Sequence, residues 1–332
     1  MNRNEQGSVR YSRLLLLCML LTLTFYTARP GASPSGYASS IENGRSNHVY
    51  IISSPENELH ASIVQKISKD LKLRRPSIVV SKVANGEKIK AVDSDTDIVI
   101  GIGSEGMKIA ETHYPEIIKL FISTDPNKYN LNKDRNRNDA ILYMTQPYCR
   151  QIRFIRQLNR QWKTISILNS RKKPVDSKHL KQCANEHDIK VYIVSTTDEK
   201  NISEKIKHAL HHSDVLLALP DSNIYNSRTV KNILLTSYRY RKPVIAFSNN
   251  FVNAGALAAI YSDTDKIALS ASKLIEQYLY TTTPLVSINY PDEFDIKINK
   301  QVFRALDIPI PDIDTIEITL KQKESNTSGA MR

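Results

Sequence analysis

Short apolar segments alternate with segments of helical periodicity along most of the chain. The first pair is the apolar, β-branched segment 48–53 and the stretch after it, whose apolar residues recur at helical spacing at Leu59, Ile63, Ile67 and Leu71. The same rhythm continues with candidate strands at 77–81, 97–101, 118–122, 164–168, 189–194, 215–219, 243–247 and 255–260. Near-continuous apolar strands separated by helices are typical of parallel sheets that helices cover on both faces.

A polar segment divides this pattern into two parts. Residues 127–139 are rich in asparagine and charged side chains, so we expect a loop or a crossing segment there. The alternation resumes beyond it and ends with a predicted helix at 264–280, after which the chain could return to the first part. The sequence therefore predicts two α/β lobes of similar design.

The N-terminus has the order of segments that is typical of a secretory signal. Arg10 and Arg13 precede the apolar run Leu14 to Phe25, and a turn-rich stretch of small residues follows at 29–36. The apolar run is shorter than the roughly 20 residues that a membrane-spanning helix needs. We therefore expect 1–38 to be a signal peptide of a periplasmic protein, although an uncleaved inner-membrane anchor remains open.

Length and charge narrow the class of protein. Removing 38 residues from the 332 leaves 294, which suits two domains. The formal charge of the whole chain is +12, and a positive balance favours anionic ligands or surfaces, although solubility is the simpler interpretation. No named nucleic-acid motif appears, so we expect no nucleic-acid partner.

One predicted helix shows how the positive charge is distributed. Near Cys149, apolar residues fall on one side of the helix and basic residues on another; the basic ones are Arg153, Arg156, Arg160 and Lys163. This pattern predicts a helix that packs on the core and carries a solvated basic face. Cys149 and Cys183, outside the apolar N-terminal run, could form a disulfide or remain two buried free thiols.

Residues of metal and catalytic sites are present without the arrangements that such sites need. His208, His211 and His212 are spaced like a metal cluster, but they close a polar helix and lack a suitably spaced cysteine or acidic group. No pattern in the sequence brings a serine, an aspartate and a histidine together as a catalytic triad. We expect no metal, no cofactor and no enzymatic activity.

One glycine-rich loop supports an alternative function. Gly101 to Gly106 matches G-x-G-x-x-G between a predicted strand and a helix, and Asp125 lies near the end of the next strand. An exported dinucleotide-dependent enzyme is therefore the alternative. The other interpretation is that the glycines allow a tight turn that brings Ser104 and its amide to a smaller ligand.

A matching loop in the second part follows the apolar strand 215–219. Asp221, Ser222 and Asn223 suit hydrogen bonding to a ligand, and they equally suit helix capping and turn formation. In open α/β sheets, ligands lie at the carboxyl ends of the strands, where these loops occur.

The second part resembles a known family. Leu219-Pro220-Asp221, Lys242-Pro243-Val244-Ile245 and Gly255-Ala256-Leu257-Ala258-Ala259 occur in the order found in ABC-transporter substrate-binding proteins of the type I periplasmic-binding-protein fold. Ile100 to Ser104, Thr124-Asp125-Pro126 and Phe294 to Asn299 are similar to further segments of that family. The family's glycine-containing turn after Thr-Asp-Pro is replaced here by 130–139, which has no glycine.

The resemblance implies a fold class, a domain organisation and a site. The fold class is α/β, with two Rossmann-like lobes that each contain a parallel sheet and are joined by a three-crossing hinge. Lobe 1 is expected at 47–140 plus 265–320, lobe 2 at 141–264, and a disordered tail at 321–332. The implied ligand-facing residues are Ser53, Ser54, Ser104, Glu105, Thr124, Asp125, Asp221, Ser222, Asn223, Ser248 and Gly255.

The implied function is capture of a small polar molecule, such as an amino acid or similar zwitterion, in the cleft between the lobes. Delivery to an ABC-type permease or to an outer-membrane receptor-linked uptake system would follow, and a ligand sensor without a transport role is a further alternative. We expect a monomer.

Overall fold

The predicted alternation of strands and helices is present throughout the described part of the chain. The structure is a computed structural model, and it describes residues 47–54, 57–83, 93, 96–123, 139–196, 201–281, 284–285 and 287–330, with side chains up to 323. The predicted signal segment 1–38, most of the polar segment 127–139, and Thr124 and Asp125 lie outside the described residues.

The strands agree with the predicted apolar segments to within a few residues, except those at 140–143 and 288–289, which were not predicted. They are β1 (His48–Ser53), β2 (Val79–Val83), β3 (Ile98–Ile102), β4 (Lys119–Ser123), β5 (Ala140–Tyr143), β6 (Thr164–Ser170), β7 (Lys190–Thr196), β8 (Val215–Leu217), β9 (Val244–Ala246), β10 (Ala258–Tyr261), β11 (Ile288–Asn289) and β12 (Asp295–Ile298).

The helices lie between these strands. They are α1 (Glu58–Arg74), α2 (Gly103–His113), α3 (Tyr148–Leu158), α4 (Ser177–Asn185), α5 (Ile202–His211), α6 (Val230–Arg239), α7 (Asn249–Asn253), α8 (Thr264–Tyr280), α9 (Lys300–Ala305) and α10 (Ile313–Ala330). Side-chain caps fix several of their starts, because an acceptor at the first position satisfies a free backbone N–H. Asp176 accepts a hydrogen bond from His179 N at 3.0 Å, and Asp263 accepts one from Lys266 N at 2.9 Å.

Two six-stranded sheets organise the described residues. The first sheet has the order β11-β5-β4-β3-β1-β2 and the second the order β12-β10-β9-β8-β6-β7. Neighbouring strands are parallel except β10 and β12, which are antiparallel. We call the sheets with their helices the first and the second lobe. The prediction of two α/β lobes with parallel sheets is confirmed.

The apolar strands are buried because helices cover both faces of each sheet. Every residue of β3 and β4 is buried. On one face of the first sheet, α1 and α8 bury Ile63, Ile67 and Ile275 against the strands. On the other face, Met107 and Ala110 of α2 pack with Phe121. This two-sided burial explains why the strands read as continuous apolar runs rather than as alternating patterns.

The chain passes between the two sheets three times within the described ranges. The first crossing is 144–147, from β5 to α3; the second is 262–263, from β10 to α8; the third is 290–294, from β11 to β12. The three-crossing topology agrees with the type I periplasmic-binding-protein fold that the resemblance implies.

The C-terminal part departs from the predicted lobe assignment. The sequence places 265–320 in lobe 1, and α8 and β11 do belong there. However, β12 pairs with β10 of the second sheet, and Phe303, Ile316 and Leu320 are buried in the core of the second lobe. The pairing partner of a short strand is set by the path of the chain, which local periodicity does not encode. Helix α10 reaches Ala330, inside the predicted tail 321–332.

A disulfide joins α3 to α4 in the second lobe. The Cα atoms of Cys149 and Cys183 lie 4.8 Å apart, within the range that disulfides require. This answers the question that the sequence left open between a disulfide and two free thiols.

Replacing both Cys149 and Cys183 by serine should lower the free energy of unfolding by about 2–4 kcal/mol, because the bridge restricts the unfolded chain. Urea unfolding under oxidising conditions would measure the loss. Wild-type protein treated with a reductant is the matched control, since it should lose a similar amount of stability. Equal stability of the oxidised wild type and the double variant would contradict the prediction.

Candidate functional site

The carboxyl end of β8 carries a polar loop that several hydrogen bonds hold in place. The carboxylate of Asp221 is 4% exposed and accepts hydrogen bonds from the backbone N–H of Ser170 at 2.7 Å and of Asn223 at 3.0 Å. It also accepts from Asn223 Nδ2 at 3.1 Å. These bonds fix the loop after β8 to the end of β6, so the carboxylate has a defined position at the edge of the sheet.

This carboxylate borders a cavity of about 240 Å³ that lies between the lobes, which we call the tyrosine cavity. Its wall combines the strand ends of the first lobe, the first crossing with the start of α3, and the loops of the second lobe. The lining residues are Tyr143, Thr145, Gln146, Tyr148, Gln151, Leu168, Asn169, Lys173, Pro174, Val175, Asp176, His179, Leu219, Pro220, Asp221, Ile288 and Tyr290.

Aromatic rings form one side of the tyrosine cavity. The ring centroids of Tyr143 and Tyr290 are 5.3 Å apart, and those of Tyr148 and His179 are 5.8 Å apart. Burial raises the pKa of the Tyr148 and Tyr290 phenols above the ordinary value, so both hydroxyls stay protonated at neutral pH. The rings therefore offer apolar faces together with neutral hydroxyl groups.

The polar side of the cavity is held in place by hydrogen bonds. Asn169 donates through Nδ2 to Ser170 O at 2.9 Å and to Lys173 O at 3.1 Å, and it accepts from Ser195 Oγ at 2.9 Å. Asp176 caps α4, as described above, so the first turn of that helix borders the same space. A ligand would meet polar groups whose orientation is already fixed.

A second cavity of about 400 Å³ adjoins the first and shares Thr145, Gln146, Gln151 and Pro220 with it. It extends between Leu59 of α1, the start of α7 and the second crossing. Asn249 Oδ1, at the start of α7, is buried and has no hydrogen-bond partner among the described residues. A buried acceptor is costly to leave unpaired, so this atom is available to accept a hydrogen bond from a molecule in the cavity.

Of the five residues predicted for the site in the second lobe, two line a cavity. Asp221 lines the tyrosine cavity and Ser248 lines the second cavity. Asn223 is bonded to Asp221, whereas Ser222 is exposed and accepts a bond from Asn226 through its carbonyl oxygen. Gly255 ends the turn after α7 with a φ of 120°, a conformation that favours glycine, and it lines neither cavity.

The predicted residues of the first lobe stand apart from both cavities. Ser53 is the last residue of β1 and Ser54 follows it, and Ser104 and Glu105 are exposed in the first turn of α2. None of these four lines either cavity. Thr124 and Asp125 lie outside the described residues, so their place at the site stays a prediction.

The main cavity residues that sequence reasoning missed are the tyrosines. Tyr143 and Tyr290 are adjacent in space and 147 positions apart in the chain, and Tyr148 begins a helix that was interpreted as core packing with a basic face. Asn249 was missed as well, because a single asparagine after a strand has no distinctive pattern. Of these residues, Asn249 alone comes just after a predicted strand, 243–247, and that position was the one available signal.

The glycine-rich loop has a packing role. A Cβ at Gly106 would lie 2.4 Å from the carbonyl oxygen of Ile52, so α2 could not approach β1 with a larger residue there. Neither cavity is lined by a residue of 101–106. Among the described residues, Cys149, His179 and Cys183 lie close enough together to hold a metal ion, but the two sulfurs are joined in the disulfide.

Comparison with known proteins identifies the family. The family model for ABC transporter substrate binding proteins matches residues 64–317. The chain belongs to this family. The resemblance predicted from the sequence and the role in binding a small-molecule solute are thereby confirmed.

Individual relatives agree with this assignment. The substrate-binding protein is 25% identical over 251 residues to a tyrosine-binding protein of Clostridioides difficile, covering 72% of this chain and 71% of the relative. Its fold is similar to an ABC domain in complex with L-Trp from Streptococcus pneumonia, with a TM-score of 0.56 and 17% identity over 81% of this chain and 97% of the other. It is also similar to the ligand-free, open structure of a substrate-binding protein with adhesive properties from Clostridium difficile. The TM-score is 0.60 and the identity 17%, over 80% of this chain and 96% of the other.

A buried arginine connects the crossings of this substrate-binding protein. The Nη1 atom of Arg150, on α3, donates to Gln146 Oε1 at 2.6 Å and to Pro291 O at 2.8 Å, and its guanidinium carbon lies 4.8 Å from the centroid of the Phe294 ring. Gln146 Nε2 in turn donates to Ser262 Oγ at 2.9 Å. The first, second and third crossings are thus joined by one hydrogen-bonded chain.

No helix within the described residues is long and apolar enough to span a bilayer.

Replacing Arg150 by methionine should lower the free energy of unfolding by about 2–4 kcal/mol, because two acceptors would lose a charged donor while remaining buried. Chemical denaturation would measure the change. Arg239→Met is the matched control, since Arg239 is exposed at the end of α6 and the substitution should change stability by less than about 0.5 kcal/mol. An Arg150 variant as stable as the Arg239 variant would rule out the proposed contribution.

Proposed function

We propose that this protein is exported to the periplasm and binds an aromatic L-amino acid in the tyrosine cavity. The observation that carries the proposal is the combination of three tyrosine rings with the Asp221 carboxylate in one cavity between the lobes. The tyrosine-binding relative and the neighbouring fold in complex with L-Trp support the same class of ligand.

Asp221 is suited to hold the ammonium group. A carboxylate offers about four acceptor positions, and the contacts described above use three of them. Asp221 lines the cavity, so the remaining position can accept a charge-assisted hydrogen bond from a bound cation. Because the bonds from Ser170 and Asn223 fix the carboxylate, little ordering would be required when the ligand binds.

The tyrosine rings are suited to hold an aromatic side chain. Aromatic pairs are favourable in offset or edge-on arrangements with centroids roughly 4.5–7 Å apart, and the Tyr143–Tyr290 pair already has this spacing. The protonated hydroxyls of Tyr148 and Tyr290 can donate to a polar substituent or to the ligand carboxylate. A purely aliphatic amino acid would gain less from these walls.

The second cavity provides a further acceptor for the ligand amine. Asn249 Oδ1 accepts no hydrogen bond from the described residues. The cavity that it lines shares Gln146 and Pro220 with the tyrosine cavity. Closure of the lobes about the three crossings would bring the two walls together around the ligand. Ser248, which was predicted from the resemblance, lines the same space.

Delivery to a membrane partner completes the proposed role. The N-terminal segment 1–38 would direct export or anchor the protein, and the loaded form would present its ligand to an ABC-type permease or to a receptor-linked uptake system. We propose that the protein acts as a monomer without a nucleic-acid partner. A sensor role uses the same cleft and differs only in the membrane partner.

Thermal unfolding of the purified protein with amino acids, sugars, nucleosides and nicotinamide or flavin cofactors tests the ligand class. A ligand present at 100 times its Kd should add about 2.7 kcal/mol of stability and raise Tm by a few degrees. L-tyrosine, L-tryptophan or L-phenylalanine should give this shift. Tyramine, which lacks the carboxylate, and 3-phenylpropionate, which lacks the amine, should give a much smaller rise in Tm. A shift with a dinucleotide alone would favour the enzyme alternative.

Replacing Asp221 by asparagine should weaken binding of the aromatic amino acid about 10-fold or more, because the ammonium loses a charged acceptor. Isothermal titration calorimetry would measure Kd. Asp214→Asn is the matched control: Asp214 accepts the backbone N–H of Thr164 at the start of β6, as Asp221 accepts that of Ser170 at its end, but it does not line the cavity. Equal affinities of the two variants would refute the assignment of Asp221.

A further inference from the structure

A basic groove lies between α3 and α10, outside both interlobe cavities. It has a volume of about 270 Å³ and is lined by Arg153, Arg156, Arg160, His187 and Lys323 together with residues of α10. The sequence predicts that the basic face of this helix is solvated. In the structure α10 lies beside that face, with Thr319 and Leu320 in the groove wall. The arginines are therefore gathered in a concave site rather than spread over an open surface.

Two polar atoms in this groove have no hydrogen-bond partner among the described residues. Arg153 Nη1 and His187 Nε2 are both buried from solvent and unpaired. Burial of an unpaired donor, above all a charged one, is costly, and native structures rarely leave such groups without a partner. The groove thus contains hydrogen-bonding capacity that a bound molecule would use.

The three arginines of the groove, Arg153, Arg156 and Arg160, are not paired with carboxylates of the described residues. Arg156 donates to the carbonyl oxygens of Arg160 and Trp162, which are neutral groups. Across the part of the chain that the structure describes, none of the three arginines forms an ion pair. Burial lowers the pKa of His187, and the positive charges of Lys323, Arg153 and Arg156 lower it further. The negative charge of Glu186 raises this pKa, but by less than burial and the three positive charges together lower it.

We propose that this groove binds a phosphate-bearing anion independently of the solute in the cleft. Guanidinium groups pair with phosphate oxygens through charge-assisted hydrogen bonds, often two from one arginine. Arg153 and Arg160 supply such donors from α3, and Lys323 adds charge from α10. A partly buried site strengthens these bonds relative to those on an open surface. The ligand chemistry is a phosphate or pyrophosphate group, either free or as a lipid headgroup.

The protein contains a natural reporter for this site. Trp162 is its one tryptophan, is 8% exposed, and accepts a hydrogen bond from Arg156 Nη1 at 3.4 Å through its carbonyl oxygen. An anion that draws Arg156 toward the groove should change the surroundings of this indole. Titration with pyrophosphate at constant ionic strength should therefore give a saturable change in tryptophan fluorescence, while chloride at the same ionic strength should give none.

Arg153→Gln combined with Arg160→Gln should weaken pyrophosphate binding at least 10-fold. Lys163→Gln is the matched control, because Lys163 is an exposed basic residue just beyond α3 that does not line the groove, and it should bind like wild type. Arg160→Gln alone, at an exposed position, keeps the test valid if the double variant folds poorly. Absence of a saturable response in the wild type, or equal loss in the Lys163 variant, would overturn the proposal.

Vesicle binding distinguishes the two sources of the phosphate group. If the group belongs to a lipid headgroup, the protein should sediment with vesicles of phosphatidylglycerol but not with those of phosphatidylcholine. Pyrophosphate and the double substitution should each abolish this sedimentation. A fluorescence response to pyrophosphate without vesicle binding would indicate a free anion. The site would be refuted if the double variant bound phosphatidylglycerol vesicles as strongly as the wild type and neither protein responded to pyrophosphate.

Discussion

The buried guanidinium of Arg150 is the interaction on which the arrangement of the two lobes depends. It bonds to the first and third crossings, and Gln146 extends the same chain to Ser262 of the second. A charge removed from water is tolerable only where hydrogen bonds and aromatic contacts replace its hydration, and here Gln146, Pro291 and Phe294 of the first and third crossings provide them. The three crossings are therefore held together by one buried charge and its hydrogen-bond partners.

Helix α3 connects the features that lie around that arginine. Tyr148 and Gln151 face the tyrosine cavity, Arg150 faces the crossings, and Arg153 lines the basic groove. The disulfide from Cys149 to α4 fixes the same helix against the second lobe. Because a helix turns once in about 3.6 residues, one short segment can serve the ligand, the hinge and the groove on different sides. The three parts of the molecule therefore share one helix, although each uses different side chains of it.

Particular residues show how far the sequence could predict the fold and the site. The apolar runs of β3 and β4 predicted buried parallel strands, because continuous apolar character follows directly from helices on both faces. Asp221 was found because a polar residue after a buried strand is a local signal. The Tyr143–Tyr290 pair could not be found in this way, since its members meet only after the chain has crossed between the sheets.

The sequence by itself determined most of the strands, several helices, the two-lobe class and the resemblance to the family, because each depends on burial periodicity or on motifs within short segments. Only the tertiary structure decided that β12 and α10 join the second lobe, that Cys149 pairs with Cys183, and that the basic face of α3 lines a groove. The physical reason is that local patterns record whether a residue is buried, whereas its neighbours depend on how distant segments are brought together by the crossings.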